Sequence, residues 1–409
     1  LPTLPAATAS ADAAAVLALL PQDLRAAARE GADTWTGRPT RMLRACEDAA
    51  ARLTAHGTAS PSLRLLADQT AHALIGLAHV LNGLALLTAD PARPARRRRH
   101  RAHLRVPDWL PAIIAGLRAL VVTVAVAALW VLTPWPGGAT AIVWAVVIVS
   151  VFAPQADHAY SNALRYVIGS VIATGFAAFI TFAVLPATWS FTQLALVLGA
   201  YIVPAGALMA QPWAAAIFAP MAAIGLALIA PENQVSYDPA QFYNGALALL
   251  VGCLLAMISF RLIPPLSPAA SVRRLLMLSL RDLRRLAAGR PVRDWSGRLR
   301  SRITALPEEA TPLERARMLA ILATGRELVQ LRGFARQLDV APEIAAVEGA
   351  IARRHSAAAL AGLARSDAAL AARADTGADG AVVRARACAL ALTELLRRHG
   401  AFLDAERVA

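Results

Sequence analysis

The chain has 409 residues, of which 57% are hydrophobic and 17% are charged, and it carries a formal net charge of +14. A mean hydropathy of +0.50 excludes an ordinary soluble protein, while the strong positive charge excludes a purely intramembrane one. Since no zinc-finger, helix-turn-helix or RNP-type pattern accompanies the charge, we expect no nucleic-acid partner.

Residues 1–105 show helical periodicity without an apolar run of membrane length. One stripe of apolar residues runs from Val16 to Leu24 and a second from Leu63 to Leu87, both at spacings of three and four. An arginine-rich run, RPARRRRHRAHLR, closes this part at residues 93–105. It predicts a linker that faces anionic lipid, rather than a nucleic-acid site. We therefore expect a cytoplasmic helical segment.

Six apolar runs in residues 106–265 predict a transmembrane domain. A run such as Ala112–Leu132 has one charge in 21 residues. At ~1.5 Å rise per residue it is long enough for a hydrocarbon core of ~30 Å. The second and fourth runs are short for a bilayer. The predicted spans are 112–132, 139–152, 163–185, 194–209, 213–230 and 242–263.

Arginines flank the apolar block on both sides and set its predicted orientation. They crowd the run before the first span and recur at Arg261, Arg273 and Arg274 after the last, which places both ends, and both termini, in the cytoplasm. Residues 266–409 lack apolar runs of membrane length and predict a cytoplasmic helical domain. Because no strand pattern is visible, the predicted fold class is all-α, an integral membrane helical bundle with helical flanks.

The C-terminal part carries clear helix signals. Thr311 and Glu314 enclose a proline in a capping box, with Pro at the first helical position. Two further helices are predicted over 342–372 and 381–403, separated by the turn DTGADG.

The sequence predicts a protein that is not an enzyme. No Walker loop, dinucleotide fingerprint, HExxH, GxSxG or CxxC occurs, and the cysteines fall at Cys46, Cys253 and Cys388 in three different segments. We expect no metal and no cofactor. A transporter without nucleotide hydrolysis uses a gradient, which requires polar groups in or beside the apolar block.

Few charged groups are available for that task. Arg118 lies roughly 10 Å into the first span, where it either attracts an anion on a substrate route or snorkels to the headgroups. Asp157, His158 and Arg165 lie on the elbow between the second and third spans. Asp157 either exchanges a proton or pairs with an arginine, and an unperturbed histidine titrates near pH ~6.5.

Proline and small residues mark the later spans. Pro204 and Pro220, with Gln211 between them, lie in the fourth and fifth runs. Proline removes a backbone donor and frees carbonyls that can line a substrate cavity, although it is also common in ordinary membrane helices. In the third run Gly169 begins a face of small residues that recur every four positions and permit close helix packing.

Several stretches resemble one known family. The runs DWLPAIIAGLRALVV, WVLTPWPGGATAIVWA and FAPQADHAYSNALRYVIGSVIATG resemble the second membrane half of the fusaric acid resistance (FUSC) family, which includes the aromatic acid exporter inner-membrane subunits. The similarity covers residues 105–265 well and the flanks loosely. It assigns Trp135, Pro136, Gly138, Asp157 and Gly169 to the family motifs.

The resemblance implies a bacterial inner-membrane protein of two repeats, each with about six spans and a cytoplasmic helical domain. It implies export of aromatic or other hydrophobic carboxylic acids at the expense of the proton gradient, in some members with a periplasmic adaptor protein. Only one membrane repeat is present here. We therefore expect either the C-terminal portion of a longer protein or a homodimer that replaces the internal pair.

The resulting hypothesis is a gradient-driven exporter of small organic anions. It uses Arg118 and Arg165 to attract the anion, Asp157 and His158 to couple protons, and the Pro204, Gln211 and Pro220 region to line the route. One alternative is a passive anion channel, because the architecture also resembles the dimeric plant aluminium-activated malate transporters. Another is a membrane scaffold that transports nothing.

Overall fold

The computed structural model is predominantly helical in the part of the chain that it describes. The described residues are 6–22, 24–26, 39–58, 60–88, 108–231, 237–292, 294–338, 340–374 and 380–406. They contain sixteen α-helices and no strand, which confirms the predicted all-α class. The arginine-rich linker at 93–105 lies outside these residues.

The helices are α1 Ala6–Leu19, α2 Pro39–Ala55, α3 Pro61–Thr88, α4 Leu110–Leu132, α5 Gly138–Phe152, α6 Ala159–Phe179, α7 Phe191–Met209, α8 Ala215–Pro220, α9 Leu226–Ile229, α10 Pro239–Leu262, α11 Pro268–Ala287, α12 Trp295–Thr304, α13 Pro312–Gln337, α14 Ala341–Ala352, α15 Ser356–Ala374 and α16 Gly380–Asp404.

The chain forms two compact units. One is Asp108–Ser271, and the other joins Leu1–Pro107 to Val272–Ala409. The two flanks, which the sequence analysis treated as separate segments, thus pack together. Leu65 of α3, for example, lies in a small buried cluster with Ala387 and Ala391 of α16.

The unit Asp108–Ser271 contains five helices that are long and apolar enough to cross a membrane. They are Leu110–Leu132, Gly138–Gln155, Ala159–Ala187, Phe191–Met209 and Pro239–Leu262. The fifth predicted span is different, because the residues from Ala215 to Ile229 form a shorter apolar segment that is not continuous α-helix. Short turns of other helix types extend the second and third spans beyond α5 and α6.

Close backbone contact holds the core of this unit together. A Cβ on Gly252 of α10 would lie under 3.0 Å from the carbonyl oxygen of Ala141 on α5. Ala141 and Ala145 are fully buried on the same face. The first half of α5 and the middle of α10 therefore approach with only small side chains between them, as membrane helices commonly do.

The other unit has a leucine-rich core built chiefly by α11, α13 and α16. The predicted capping box is confirmed: Thr311 Oγ1 accepts from the Glu314 amide at 3.3 Å, and Glu314 Oε2 accepts from the Thr311 amide at 2.8 Å. The single helix predicted over 342–372 is instead two helices, α14 and α15. The break lies at Arg354, whose φ of 65° ends α14.

Candidate functional site

The fifth membrane segment is broken at its middle. Helix α8 ends at Pro220, a π-helix spans Met221–Gly225, and the single turn α9 ends at Ala230 with a left-handed φ of 38°. Proline has no amide hydrogen, so the carbonyl one turn before Pro220 loses its usual donor. Such π-segments occur frequently at functional sites.

Tyr201 of α7 supports this break. Its hydroxyl donates to the carbonyl oxygen of Met221 at 2.8 Å, in a fully buried position. A Cβ on Gly225 would overlap the same hydroxyl oxygen, so the glycine provides the space that the tyrosine uses. The Tyr201 ring also lies 6.3 Å from that of Phe176 on α6. Tyr201 thus donates a hydrogen bond from a different helix, α7, to a carbonyl of the irregular segment.

The small-residue face of α6 packs against the same segment. A Cβ on Gly169 would overlap the carbonyl oxygen of Ile217 in α8, so the two backbones touch at this point. Ala173 and Ala177, one and two turns further along α6, are fully buried. The small-residue face predicted from the sequence therefore packs against α8 at its first residue, Gly169.

Thr181 adds a polar group that the sequence analysis did not single out. It lies in the π-helix Ile180–Val184 that continues α6, and its side chain is 4% exposed. Within the described residues its Oγ1 has no hydrogen-bond partner. Leaving a buried hydroxyl unpaired costs on the order of 1–3 kcal/mol, which makes this oxygen a candidate hydrogen-bond partner for a ligand or a water molecule.

Aromatic rings follow directly after Thr181. Phe182 lies 5.2 Å from the ring of Phe242 in an edge-to-face arrangement, and 6.3 Å from that of Tyr243 in a stacked one. Phe242 is buried, whereas Tyr243 is exposed. This cluster presents ring faces and edges of the kind that attract another aromatic group.

Arg118 is held by the end of α10. Its Nε and Nη2 both donate to the carbonyl oxygen of Ile263, at 3.0 and 2.6 Å. Its guanidinium lies 4.5 Å from the centre of the Phe260 ring, and the side chain is 1% exposed. A cation at this position pairs with an orphan carbonyl and with the negative end of the helix dipole. Two of the five N–H donors of Arg118 are therefore used within the protein.

The elbow residues are more open. Ala153–His158 forms a 3₁₀-helix between α5 and α6, and His158 and Arg165 are exposed. The side chain of Asp157 lies outside the described residues. The elbow is tied by Asn162 Nδ2, which donates to Gln155 Oε1 at 2.7 Å. It therefore presents His158 and Arg165 at the surface of this unit.

The other predicted residues have mixed environments. Pro220 is buried in the break, whereas Pro204 of α7 and Gln211 after it are exposed. The carbonyl of Gln211 accepts from the amides of Ala214 and Ala215, at 3.0 Å each, and so begins α8.

Three of the family-motif residues lie at the turn into α5. A Cβ on Gly138 would overlap the ring of Trp130 at the end of α4, which explains the glycine. Trp135 is half-buried and Pro136 is exposed. This part of the motif shapes the α4–α5 turn.

The sequence signal for Tyr201 was a hydroxyl within an apolar run, three residues before Pro204. The equivalent signal for Thr181 was weaker, because threonine is common in membrane helices. Neither residue could be assigned without its neighbours in space.

A separate cluster of titratable groups lies in the other unit. Glu327, Cys388, Asp68 and His72 line a cavity of about 410 Å³ between α3, α13 and α16. Burial raises the pKa of Glu327 and lowers that of His72, which also contacts Arg326. Among the described residues no group of histidine, cysteine and acidic side chains could hold a metal ion.

The chain matches the Fusaric acid resistance protein family over residues 2–403. It is 30% identical over 188 residues to an uncharacterised transporter of Gluconobacter oxydans, which covers 45% of this chain and 25% of the relative. It is 27% identical over 241 residues to the p-hydroxybenzoic acid efflux pump subunit AaeB of Edwardsiella tarda, covering 55% of this chain and 36% of the relative.

A third relative is the p-hydroxybenzoic acid efflux pump subunit AaeB of Musicola paradisiaca, 28% identical over 166 residues, with 40% of this chain and 25% of the relative covered. The chain thus spans between a quarter and about a third of the length of these curated relatives. No solved structure matches it significantly.

Proposed function

The chain belongs to the fusaric acid resistance protein family, and on that premise we propose that it is part of a membrane efflux transporter for aromatic or other hydrophobic carboxylic acids. Two of its relatives are efflux pump subunits for p-hydroxybenzoic acid, a compound of that class. The proposed location is the bacterial inner membrane, with both termini cytoplasmic and the proton gradient as the driving force.

The observation that carries the proposal is the break in the fifth segment. Interrupted membrane helices supply polar backbone groups within an otherwise apolar environment, and transporters often bind substrate there. Here Tyr201 and the carbonyl of Met221 lie at the break, while Thr181 has an unpaired hydroxyl. An apolar site with a few hydroxyl groups suits an aromatic acid whose charge is limited to one carboxylate.

The charged residues take different roles in this proposal. Arg118 holds α4 to the end of α10, because two of its donors already share the Ile263 carbonyl. Arg165 is exposed and attracts the substrate anion. Asp157 and His158 on the same elbow exchange the coupled proton. The exposed Pro204 and Gln211 and the buried Pro220 border the route near the break.

A complete transporter requires a second membrane unit. The chain covers only 25–36% of its curated relatives, and five long apolar helices with one broken segment form a single unit. The second unit is either another copy of this chain, as a homodimer, or a first repeat. A periplasmic adaptor protein would extend the route beyond the inner membrane.

Transport of p-hydroxybenzoate by proteoliposomes tests the proposal. Vesicles containing the chain are given an acidic lumen, and uptake of labelled substrate is followed. A weak acid that leaks through the bilayer in its neutral form collects on the alkaline side. Accumulation in the acidic lumen therefore requires coupled exchange for protons, and its absence from protein-free vesicles completes the comparison.

Other results would assign a different function. A substrate current that depends on voltage but not on the pH gradient would indicate a channel, and no substrate flux would leave the scaffold hypothesis.

For the coupling residue, the matched pair is Asp157→Asn and Asp157→Glu. Full pH-driven uptake by Asp157→Asn would show that Asp157 does not carry the proton, whereas loss that Asp157→Glu restores would support it.

A further inference from the structure

A second basic feature lies in the unit outside the membrane block, on one face of α11. Arg274, Arg281 and Arg285 follow one another at spacings of seven and four residues, which places them along one side of the helix. They line a cavity of about 530 Å³ whose remaining charged residues are Arg284, Arg290, Arg354 and Glu406. Ligand sites for small molecules have volumes of about 300–1,000 Å³.

The charge of this cavity is strongly unbalanced. Six arginines and one glutamate line it, so the formal charge of the lining is 6 − 1 = +5. Glu406 pairs with Arg354 at 3.3 Å, but both side chains are well exposed, so the pair contributes little. Burial and the nearby Arg354 lower the pKa of Arg284, while the carboxylates of Asp404 and Glu406 oppose this shift. An anion bound among these groups would relieve their mutual repulsion.

Arg284 is fixed in place, and one of its buried donors is unpaired. Its Nη2 donates to the carbonyl oxygens of Leu403 and Ala405, at 2.9 and 2.7 Å. Its Nε is buried and has no hydrogen-bond partner among the described residues. A pre-positioned guanidinium with an unused N–H is a ready donor to an anion oxygen.

Arg354 occupies a position where glycine is usual. The amide of Arg354 donates to Ile351 and that of His355 to Ala350, which is the pattern of a Schellman motif at the end of α14. The residue that follows the C-cap in this motif is left-handed, and Arg354 has a φ of 65°. An arginine here is less favourable for the backbone than glycine, yet it adds a guanidinium to the cavity.

We propose that this cavity binds a multivalent phosphate, supplied either by a free phosphorylated metabolite or by an anionic lipid headgroup. Arginine forks match phosphate oxygens in pairs, and a monocarboxylate would neutralise only one of the five positive charges. Met277 and Ala352 in the lining provide apolar surface for the rest of an organic ligand. Helix α11 closely follows the last long apolar helix in the sequence, which favours a lipid headgroup as one source beside a soluble metabolite.

The test uses the full chain in phosphatidylcholine nanodiscs. Inorganic pyrophosphate is the soluble probe, and its binding is measured by calorimetry at physiological ionic strength. The lipid probe is the change in thermal unfolding when cardiolipin, whose headgroup carries two phosphates, replaces part of the phosphatidylcholine. The variant is R281Q/R285Q, and R300Q on α12 is the control, because Arg300 is exposed and does not line the cavity.

We expect R281Q/R285Q to weaken pyrophosphate binding about 100-fold and R300Q to leave it unchanged. If pyrophosphate does not bind but cardiolipin raises the unfolding temperature of the parent chain and of R300Q only, the ligand is a lipid headgroup. Equal behaviour of R281Q/R285Q and R300Q with both probes would overturn the proposal.

Arg354→Gly separates binding from folding. Because glycine suits the left-handed position, this variant should unfold at the same temperature as the parent chain or higher when no ligand is present. Its affinity for the effective probe should nevertheless fall about tenfold, as expected for the loss of one charge-assisted hydrogen bond. Unchanged affinity in a folded R354G protein would contradict the assignment.

Discussion

The hydroxyl group of Tyr201 fills the space that a side chain on Gly225 would need. The same hydroxyl donates to the carbonyl oxygen of Met221, four residues before Gly225. One tyrosine thus fixes both the polar contact and the steric limit of the broken segment. The effect of a substitution at Tyr201 should therefore depend on the residue at position 225, and the effect of a substitution at Gly225 on the residue at position 201.

Gly225→Ala should destabilise the chain by about 1–3 kcal/mol, because the new methyl group displaces the Tyr201 hydroxyl. In a Tyr201→Phe background the oxygen is gone, so the further cost of Gly225→Ala should be smaller. The free energies of unfolding in detergent of the parent chain, the two single variants and the double variant give the coupling energy between positions 201 and 225.

Gly199→Ala is the matched control for that cycle, because a Cβ on Gly199, in the same helix as Tyr201, meets nothing within 4 Å. Fully additive effects of the Tyr201 and Gly225 changes would contradict the predicted contact.

Gly169→Ala should be more damaging than Gly225→Ala. The methyl group would meet the backbone carbonyl of Ile217, which cannot rotate away as a side chain can, so α6 and α8 must separate. We expect a loss of about 3 kcal/mol or more, seen as a low yield of monodisperse protein. Gly175→Ala, on the same helix with nothing within 4 Å, should behave like the parent chain.

The sequence predicted the all-α class and five of the six apolar spans because these signals are local. Apolar run length places the spans, and the capping box at Thr311 places the start of α13. The break after Arg354 was missed because arginine gives no sign of a left-handed turn, for which glycine is the usual marker.

The candidate site was less predictable because it depends on contacts between distant residues. Pro220 marked the break, but Tyr201 lies on another helix, and Met221 O accepts its proton across 20 positions in the chain. Arg118 could not be interpreted from the sequence alone, because its partner Ile263 is 145 positions away. A single arginine in an apolar span gives the same sequence pattern whether it binds a substrate or a backbone carbonyl.

Arg118→Lys tests the role of that arginine. A lysine cannot place two donors on one carbonyl, and it stacks less well on the Phe260 ring, so we expect a loss of about 1–2 kcal/mol in the free energy of unfolding. The KM for p-hydroxybenzoate uptake should be the same as in the parent chain. A raised KM with unchanged stability would instead assign Arg118 to the substrate.

The buried Glu327 should make stability depend on pH. Burial raises its folded pKa above the ordinary value of 4.5, so the folded state binds this proton more tightly than the unfolded state. The stabilisation is complete below pH 4.5 and is lost as the pH rises through the folded pKa. Glu327→Gln, which cannot ionise, should therefore be more stable than the parent chain at neutral pH.

Thermal unfolding at several pH values checks this sign. The advantage of Glu327→Gln should disappear near pH 4, where the parent carboxyl is also neutral. Glu309→Gln, which changes an exposed carboxylate on the same unit, should show no such trend. A Glu327→Gln protein that is less stable at neutral pH would mean that the charged carboxylate is needed by its neighbours, such as Arg326.

Thr181→Val tests whether the unpaired hydroxyl serves transport. Valine has nearly the same shape and no polar atom to bury, so it should leave the free energy of unfolding unchanged or raise it by about 1 kcal/mol. Uptake of p-hydroxybenzoate should fall, because the substrate or its water loses this partner, and Thr181→Ser should restore it. Uptake that remains normal in Thr181→Val would remove Thr181 from the proposed route, whatever its effect on stability.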